Sequence, residues 1–146
     1  MTVSRARYEL SKIDLNSLCR QFKEAEKNDF LNFDVLNTLN KYVSLLRSYF
    51  YFRVHLDFAG YGNKLQSDIK NNAPLITNSL STLLEKNILE KNLHDLFVRL
   101  TDLCTKSLSK KQYKHLQLAL YRLKNLMEGS ESEDAQKILE DIEEYV

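Results

Sequence analysis

The polar residues inside the most aromatic stretch of the chain are the best candidates for recognition chemistry. The stretch runs from Tyr49 to Gly62, YFYFRVHLDFAGYG, and it contains Arg53, His55 and Asp57. Arg53 and Asp57 are four residues apart, so their side chains can pair on one face of a helix. One interpretation is therefore a salt bridge on a flank that faces solvent.

The other interpretation is a surface that binds a protein partner or an anion. Arginine and tyrosine contribute strongly to interface energies, and both residue types are concentrated here. An apolar arc wider than one bundle face favours this surface, with Tyr51 on the open side of the helix. The predicted partner-binding residues are Arg47, Tyr49, Tyr51 and Arg53.

A second group of candidates is basic. Residues 61–128 carry eleven Lys or Arg against six Asp or Glu, and residues 129–146 carry one against seven. A basic stripe could neutralise the phosphates of a nucleic acid, whereas a solvated polar face is the competing interpretation. The possible nucleic-acid-binding residues are Lys106, Lys110, Lys111, Lys114, Arg122 and Lys124.

Patterns typical of enzymes are missing from the sequence. None of the three glycines opens a phosphate-binding loop, and the three histidines lack metal-ligand partners at helical spacing. His94 and Asp95 are adjacent, so we expect them not to face each other on a helix. We interpret Cys19 and Cys104 as small buried apolar side chains. We therefore expect no enzyme, no cofactor, no metal and no small-molecule substrate.

Composition favours an all-α fold. Three Gly and one Pro in 146 residues are too few for the turns of an all-β chain. We predict a bundle of five or six helices with mostly antiparallel neighbours. The bundle domain spans 1–129, and 130–146 is an acidic C-terminal helix or tail of the same domain, either docked or loose.

The second predicted helix contains the main ambiguity. It begins near Asn32 or Asp34 and ends at Gly60, but residues 49–58 also alternate like a half-buried strand. A strand would need a partner that we do not find, so the helix is favoured. Residues 61–72 then form a connection with at most one helical turn, and Pro74 lies near the start of the next helix.

The other helices follow from apolar stripes and capping residues. The first begins near Asp14, and another spans about Glu90 to Leu108. Ser109 with Gln112 forms a capping box for the fifth helix, which ends at Gly129 and forms an antiparallel hairpin with the fourth. Ser130 with Glu133 caps the last helix. The predicted core residues are Leu46, Phe50, Leu96, Leu100 and Leu120.

These features predict a non-catalytic helical module for protein–protein interaction, such as an adaptor or scaffold subunit of a larger assembly. The alternative is a small nucleic-acid-binding subunit that uses the basic face of residues 106–124. No apolar run reaches the roughly 20 residues of a membrane span. We expect an intracellular protein, cytoplasmic or nuclear, that binds a protein partner or self-associates.

Overall fold

The computed structural model describes residues 15–55 and 59–146. Within these ranges the chain forms six α-helices and no strand, so the all-α prediction is confirmed. The helices are α1 (Leu15–Lys27), α2 (Val35–His55), α3 (Ala59–Glu85), α4 (Lys91–Cys104), α5 (Lys110–Met127) and α6 (Ala135–Tyr145). Asp14, the predicted cap of α1, lies outside the described residues, as does 56–58.

Several helix ends follow the capping residues of the sequence. Asp34 accepts a hydrogen bond from the backbone of Asn37 at 3.0 Å, and Ser109 forms the predicted capping box with Gln112. Gly129 ends α5 with a φ of 96°. Left-handed conformations at a helix end suit glycine because it lacks a Cβ atom. These local signals therefore correctly identify the start of α2 and both ends of α5.

The boundaries around α3 differ from the prediction. Gly60 does not end the second helix, because Gly60 lies inside α3 and α2 is helical only to His55 in the described part. Residues 61–72 are helical, and Pro74 lies in the middle of α3. A buried stripe of Ile69, Ile76, Leu80 and Leu83 continues on both sides of this proline. Burial of that stripe stabilises a helix that local propensity alone would interrupt.

The last two predicted helix boundaries also change. The fourth helix ends at Cys104, four residues before the predicted end. The predicted capping box of Ser130 with Glu133 is wrong, because Asp134 caps α6 and accepts from the backbone of Gln136 at 2.8 Å. The Glu133 carboxylate pairs with Arg122 instead. The side chain of Glu133 thus contacts α5, and the next residue caps α6.

Helix packing follows chain order only in part. α2 packs most extensively on α5, whereas α4 packs on α3 and α6, and α1 packs on α3. The predicted hairpin of α4 with α5 is wrong, because these two helices do not pack against each other. Either helix can bury its apolar stripe on any neighbour, so a short connection does not decide the pairing. α6 docks on both α4 and α5.

The core forms around α2. The five predicted core residues are all fully buried, which confirms that prediction. The Tyr42 hydroxyl lies 2.7 Å from the Thr101 hydroxyl of α4, and the Tyr42 ring stacks on Phe97 with centroids 6.1 Å apart. Burial raises the pKa of the Tyr42 hydroxyl and of the Cys104 thiol. Both groups are therefore neutral inside the core.

Candidate functional site

The outer face of α5 exposes two large apolar side chains. Leu118 is 64% exposed and Tyr121 is 56% exposed. They are three residues apart, so they are neighbours on the helix surface. The opposite face of α5 is buried, with Leu116, Leu120 and Leu123 in the core. We call Leu118 and Tyr121 the α5 ridge.

A cavity lies on each side of the α5 ridge. The first has a volume of about 330 Å³ and is lined by Arg47 and Gln117 together with both ridge residues. The second has a volume of about 400 Å³ and reaches α6, where Tyr145 forms part of its wall. The Tyr145 ring stacks on His115 with centroids 4.8 Å apart and planes 9° apart. The ridge therefore stands between two recesses that could accept side chains of a partner.

Arg47 is the predicted partner-binding residue that the structure places at this surface. It lies on α2, is half-buried and borders the first cavity. It forms no ion pair within the described residues. Arg47, Tyr121 and Leu118 thus combine a guanidinium, an aromatic ring and an aliphatic side chain in one accessible patch.

Arg122 borders the second cavity but is held by acids. Its Nε donates to Glu133 at 3.0 Å, and its Nη1 donates to Asp141 of α6. Burial lowers the pKa of this guanidinium, but the hydrogen bonds and charges of Asp141 and Glu133 outweigh burial and raise it. Arg122 therefore fastens α6 to α5, and its charge is already balanced.

The other possible nucleic-acid-binding residues divide into two groups. Lys106 pairs with Asp102 at 3.1 Å, and Lys124 lies 3.8 Å from Glu128. Three lysines of the first turns of α5 are exposed and form no ion pair in the described part of the chain. They are Lys110, Lys111 and Lys114. Half of the predicted basic set is thus neutralised by neighbouring acids.

The two tyrosines of the predicted partner surface are buried. Tyr49 has no exposed surface, and Tyr51 is 7% exposed. The expectation that Tyr51 lies on an open side of α2 is wrong, because its side chain is buried. The Tyr51 ring lies against His55, with centroids 4.4 Å apart. Arg47, Tyr49, Tyr51 and Arg53 therefore do not share one face of the molecule.

Arg53 lies away from Arg47, at the junction of α2, α3 and the loop before α5. Its Nε donates to the Tyr49 hydroxyl at 3.2 Å, its Nη1 to Asn63 Oδ1 at 3.0 Å and its Nη2 to Gln66 Oε1 at 2.9 Å. The guanidinium also lies 5.3 Å from the Tyr49 ring centroid. Asp57, the predicted partner of Arg53, lies outside the described ranges.

A chain of polar contacts that sequence reasoning missed joins α3 to α4. The His94 Nδ1 lies 2.9 Å from Asp95 Oδ1, and the His94 Nε2 lies 3.3 Å from the Ser81 hydroxyl. The expectation that His94 and Asp95 do not face each other is therefore wrong. The order Ser–His–Asp resembles a nucleophile with its base. However, Ser81 and His94 border none of the described cavities.

A larger groove of about 760 Å³ lies between α3, α4 and α6. Arg99 in this groove pairs with Asp102 at 3.0 Å and with Glu143 at 2.6 Å, whereas Lys70, which also lines it, forms no ion pair among the described residues. Its apolar residues Val98 and Leu139 are half-buried against the core. The groove and the α5 ridge are therefore two separate surfaces that could contact a partner.

No three His, Cys, Asp or Glu side chains in 15–55 and 59–146 are close enough together to hold a metal ion. None of the helices in these ranges has the length and apolar character needed to cross a bilayer.

Comparison with known proteins yields no relative. No protein-family model matches the chain, and neither the curated proteins nor the solved structures contain a match.

Proposed function

We propose that this protein is a non-catalytic helical module for protein–protein interaction, an adaptor or scaffold subunit that binds its partner through the α5 ridge. One observation carries the proposal. Leu118 and Tyr121, exposed by 64% and 56%, stand side by side between two cavities. Large apolar side chains that are adjacent and exposed favour contact with another protein.

The composition of this surface also supports binding. Aromatic residues and arginine are the most frequent hot spots of interfaces, and Tyr121 and Arg47 border the same cavity. Arg47 forms no ion pair in the described part of the chain, so a partner carboxylate could pair with it. The exposed Lys114 on α5 adds positive charge nearby. We therefore expect a partner that presents an apolar anchor beside acidic residues.

The test compares ridge variants with a variant in the larger groove. Affinity purification with the tagged full chain identifies the partner, and calorimetry then measures its affinity. We expect Tyr121→Ala and Arg47→Ala each to weaken binding by roughly 1–3 kcal/mol, while the thermal midpoint changes little. Thr77→Arg, which fills the groove lined by Thr77, should leave the affinity unchanged. Light scattering over a concentration series shows whether the partner is a second copy of the chain.

The opposite pattern would contradict the proposal. If Thr77→Arg abolishes binding while Tyr121→Ala and Arg47→Ala do not, the groove between α3, α4 and α6 is the contact site. If gel shifts at low salt show binding to single- or double-stranded nucleic acid that high salt removes, the alternative function is favoured instead. Loss of binding in Lys110→Gln, Lys111→Gln and Lys114→Gln would then locate the nucleic acid at the start of α5.

A further inference from the structure

The guanidinium of Arg53 has only neutral acceptors among the described residues. Its three protein contacts are the Tyr49 hydroxyl and the amide oxygens of Asn63 and Gln66. A partly buried charge is usually paired with an opposite charge, since desolvation is otherwise costly. No carboxylate in the described part of the chain supplies that charge to Arg53. Arg53 therefore has no negatively charged partner among the described residues.

The position of this guanidinium is nevertheless well defined. The Gln66 amide donates from Nε2 to the Lys106 carbonyl at 3.0 Å, which turns its oxygen toward Arg53. A Cβ atom at Gly62 would lie 3.1 Å from the guanidinium carbon, so the missing side chain leaves room for Arg53. Contacts from two helices and a loop thus hold the charge in one orientation.

Arg53 also retains donors that the protein does not use. A guanidinium carries five N–H groups, and the described contacts use one on each of its three nitrogens. One N–H therefore remains on each of Nη1 and Nη2. Two neighbouring N–H groups of this kind match the oxygen atoms of a phosphate or carboxylate.

The space beside Arg53 suits a small anion. A cavity of about 280 Å³ is lined by Arg53, His55, Ser107, Lys110 and Tyr113, among others. Lys110 is exposed and forms no ion pair in the described ranges, so it adds a second positive charge. It is also the first residue of α5, where the helix dipole favours negative charge. This cavity is separate from the two that flank the α5 ridge.

We propose that the cavity beside Arg53 binds an oxyanion of the phosphate class, either free or as part of a small phosphorylated compound. The oxyanion accepts from the two remaining N–H groups of Arg53 and from the Lys110 ammonium group. This inference does not depend on the partner-binding surface.

The first test is a titration of the full chain with inorganic phosphate, followed by thermal unfolding and calorimetry. Sodium chloride at matched ionic strength is the blank. We expect phosphate to raise the thermal midpoint of the wild-type protein, because a ligand that binds only the folded state stabilises it. A rise no larger than that with sodium chloride would overturn the proposal.

Asn63→Asp tests the site directly, because it keeps the oxygen that accepts from Arg53 and adds the missing negative charge. We expect this change to lower the phosphate affinity by more than about tenfold, since charge-assisted hydrogen bonds are strong. The matched control is Asn71→Asp, an exposed position on the same helix with the same change in net charge. It should change the affinity by less than about twofold. Equal losses in both variants would show that only net charge matters.

The neighbouring lysines give a second matched pair. Lys110 lines the cavity, whereas Lys111 does not, and both are exposed. We expect Lys110→Gln to weaken phosphate binding by about three- to tenfold and Lys111→Gln by less than about twofold. Equal effects would indicate a diffuse attraction and would overturn the proposed site.

Asp57 is the other source of an oxyanion, and it lies four positions after Arg53, outside the described residues. If its carboxylate already occupies the site, the wild-type protein will not bind phosphate and Asp57→Asn will. That result would replace the proposed ligand by an internal ion pair. If wild-type and Asp57→Asn proteins both bind phosphate and Asn63→Asp does not, the proposal holds.

Discussion

The helices α2 and α5 pack on each other, yet they expose very different amounts of their surface. Twelve of the 21 residues of α2 are buried, and they lie all around the helix. Only five of the 18 residues of α5 are buried, in one stripe that faces the core. Both helices carry aromatic and apolar side chains. The difference is that neighbours surround α2, whereas solvent covers one side of α5.

Apolar residues outside a single stripe have different meanings on α2 and on α5. On α2, the additional apolar residues are buried, which is typical of a central helix. On α5, Leu118 and Tyr121 also lie outside the stripe, but both are mostly exposed. The width of the apolar arc identifies the central helix correctly. It does not identify the contact surface, which depends on where the neighbouring helices lie.

The largest expected effect is a difference in the free energy of unfolding between a variant of α2 and a variant of α5. Phe50→Ala on α2 should lower the free energy of unfolding by about 3–5 kcal/mol, because it removes a fully buried ring. Tyr121→Ala on α5 should change it by less than about 0.5 kcal/mol, because that ring is mostly exposed. Urea denaturation of both variants measures the two values. Similar losses would contradict the distinction between a core helix and a contact ridge.

The next effect concerns pH and the buried groups around α2. Burial raises the pKa of Tyr42, Tyr49 and Cys104 above the usual 10.0 for tyrosine and 9.0 for the thiol. Above these values the unfolded chain loses protons that the folded protein keeps. The contribution of these three groups to stability should therefore be constant below about pH 9 and then fall, by up to about 1.4 kcal/mol per pH unit for each group.

Urea denaturation from neutral pH to about pH 11 measures this decrease in stability. Tyr42→Phe is the control, because phenylalanine removes one titrating hydroxyl and keeps the ring. We expect the slope above pH 10 to be shallower in Tyr42→Phe than in the wild-type protein. An unchanged slope would show that Tyr42 ionises equally easily in the folded and unfolded states.

The smallest effect comes from a polar group that α2 buries. Ser48 is fully buried, and its hydroxyl has no hydrogen-bond partner among the described residues. Ser48→Ala should raise the free energy of unfolding by about 1 kcal/mol, because it removes an unsatisfied hydroxyl. Ser44→Ala, one turn earlier and half-buried, should raise it by less than about 0.5 kcal/mol through helix propensity alone. A loss of stability in Ser48→Ala would mean that the hydroxyl has a partner outside the described ranges.

Local signals in the sequence determined much of the fold. Scarce glycine and proline excluded a sheet-rich chain, and apolar spacing identified all five predicted core residues. Asp34, Ser109 and Gly129 marked helix ends because their side chains or backbone satisfy the free groups there. These features depend on contacts within a few residues, so reasoning from the sequence can find them.

The tertiary structure alone decided the continuity of α3 through Pro74, the separation of α4 from α5 and the covering of Tyr51. Each of these depends on which distant segments bury a given face, and an apolar stripe does not specify its neighbour. The candidate surface was found only in part, since Arg47 was predicted there and Leu118 and Tyr121 were not. An exposed and a buried tyrosine look alike in a sequence, because exposure is a property of the packed helices around them.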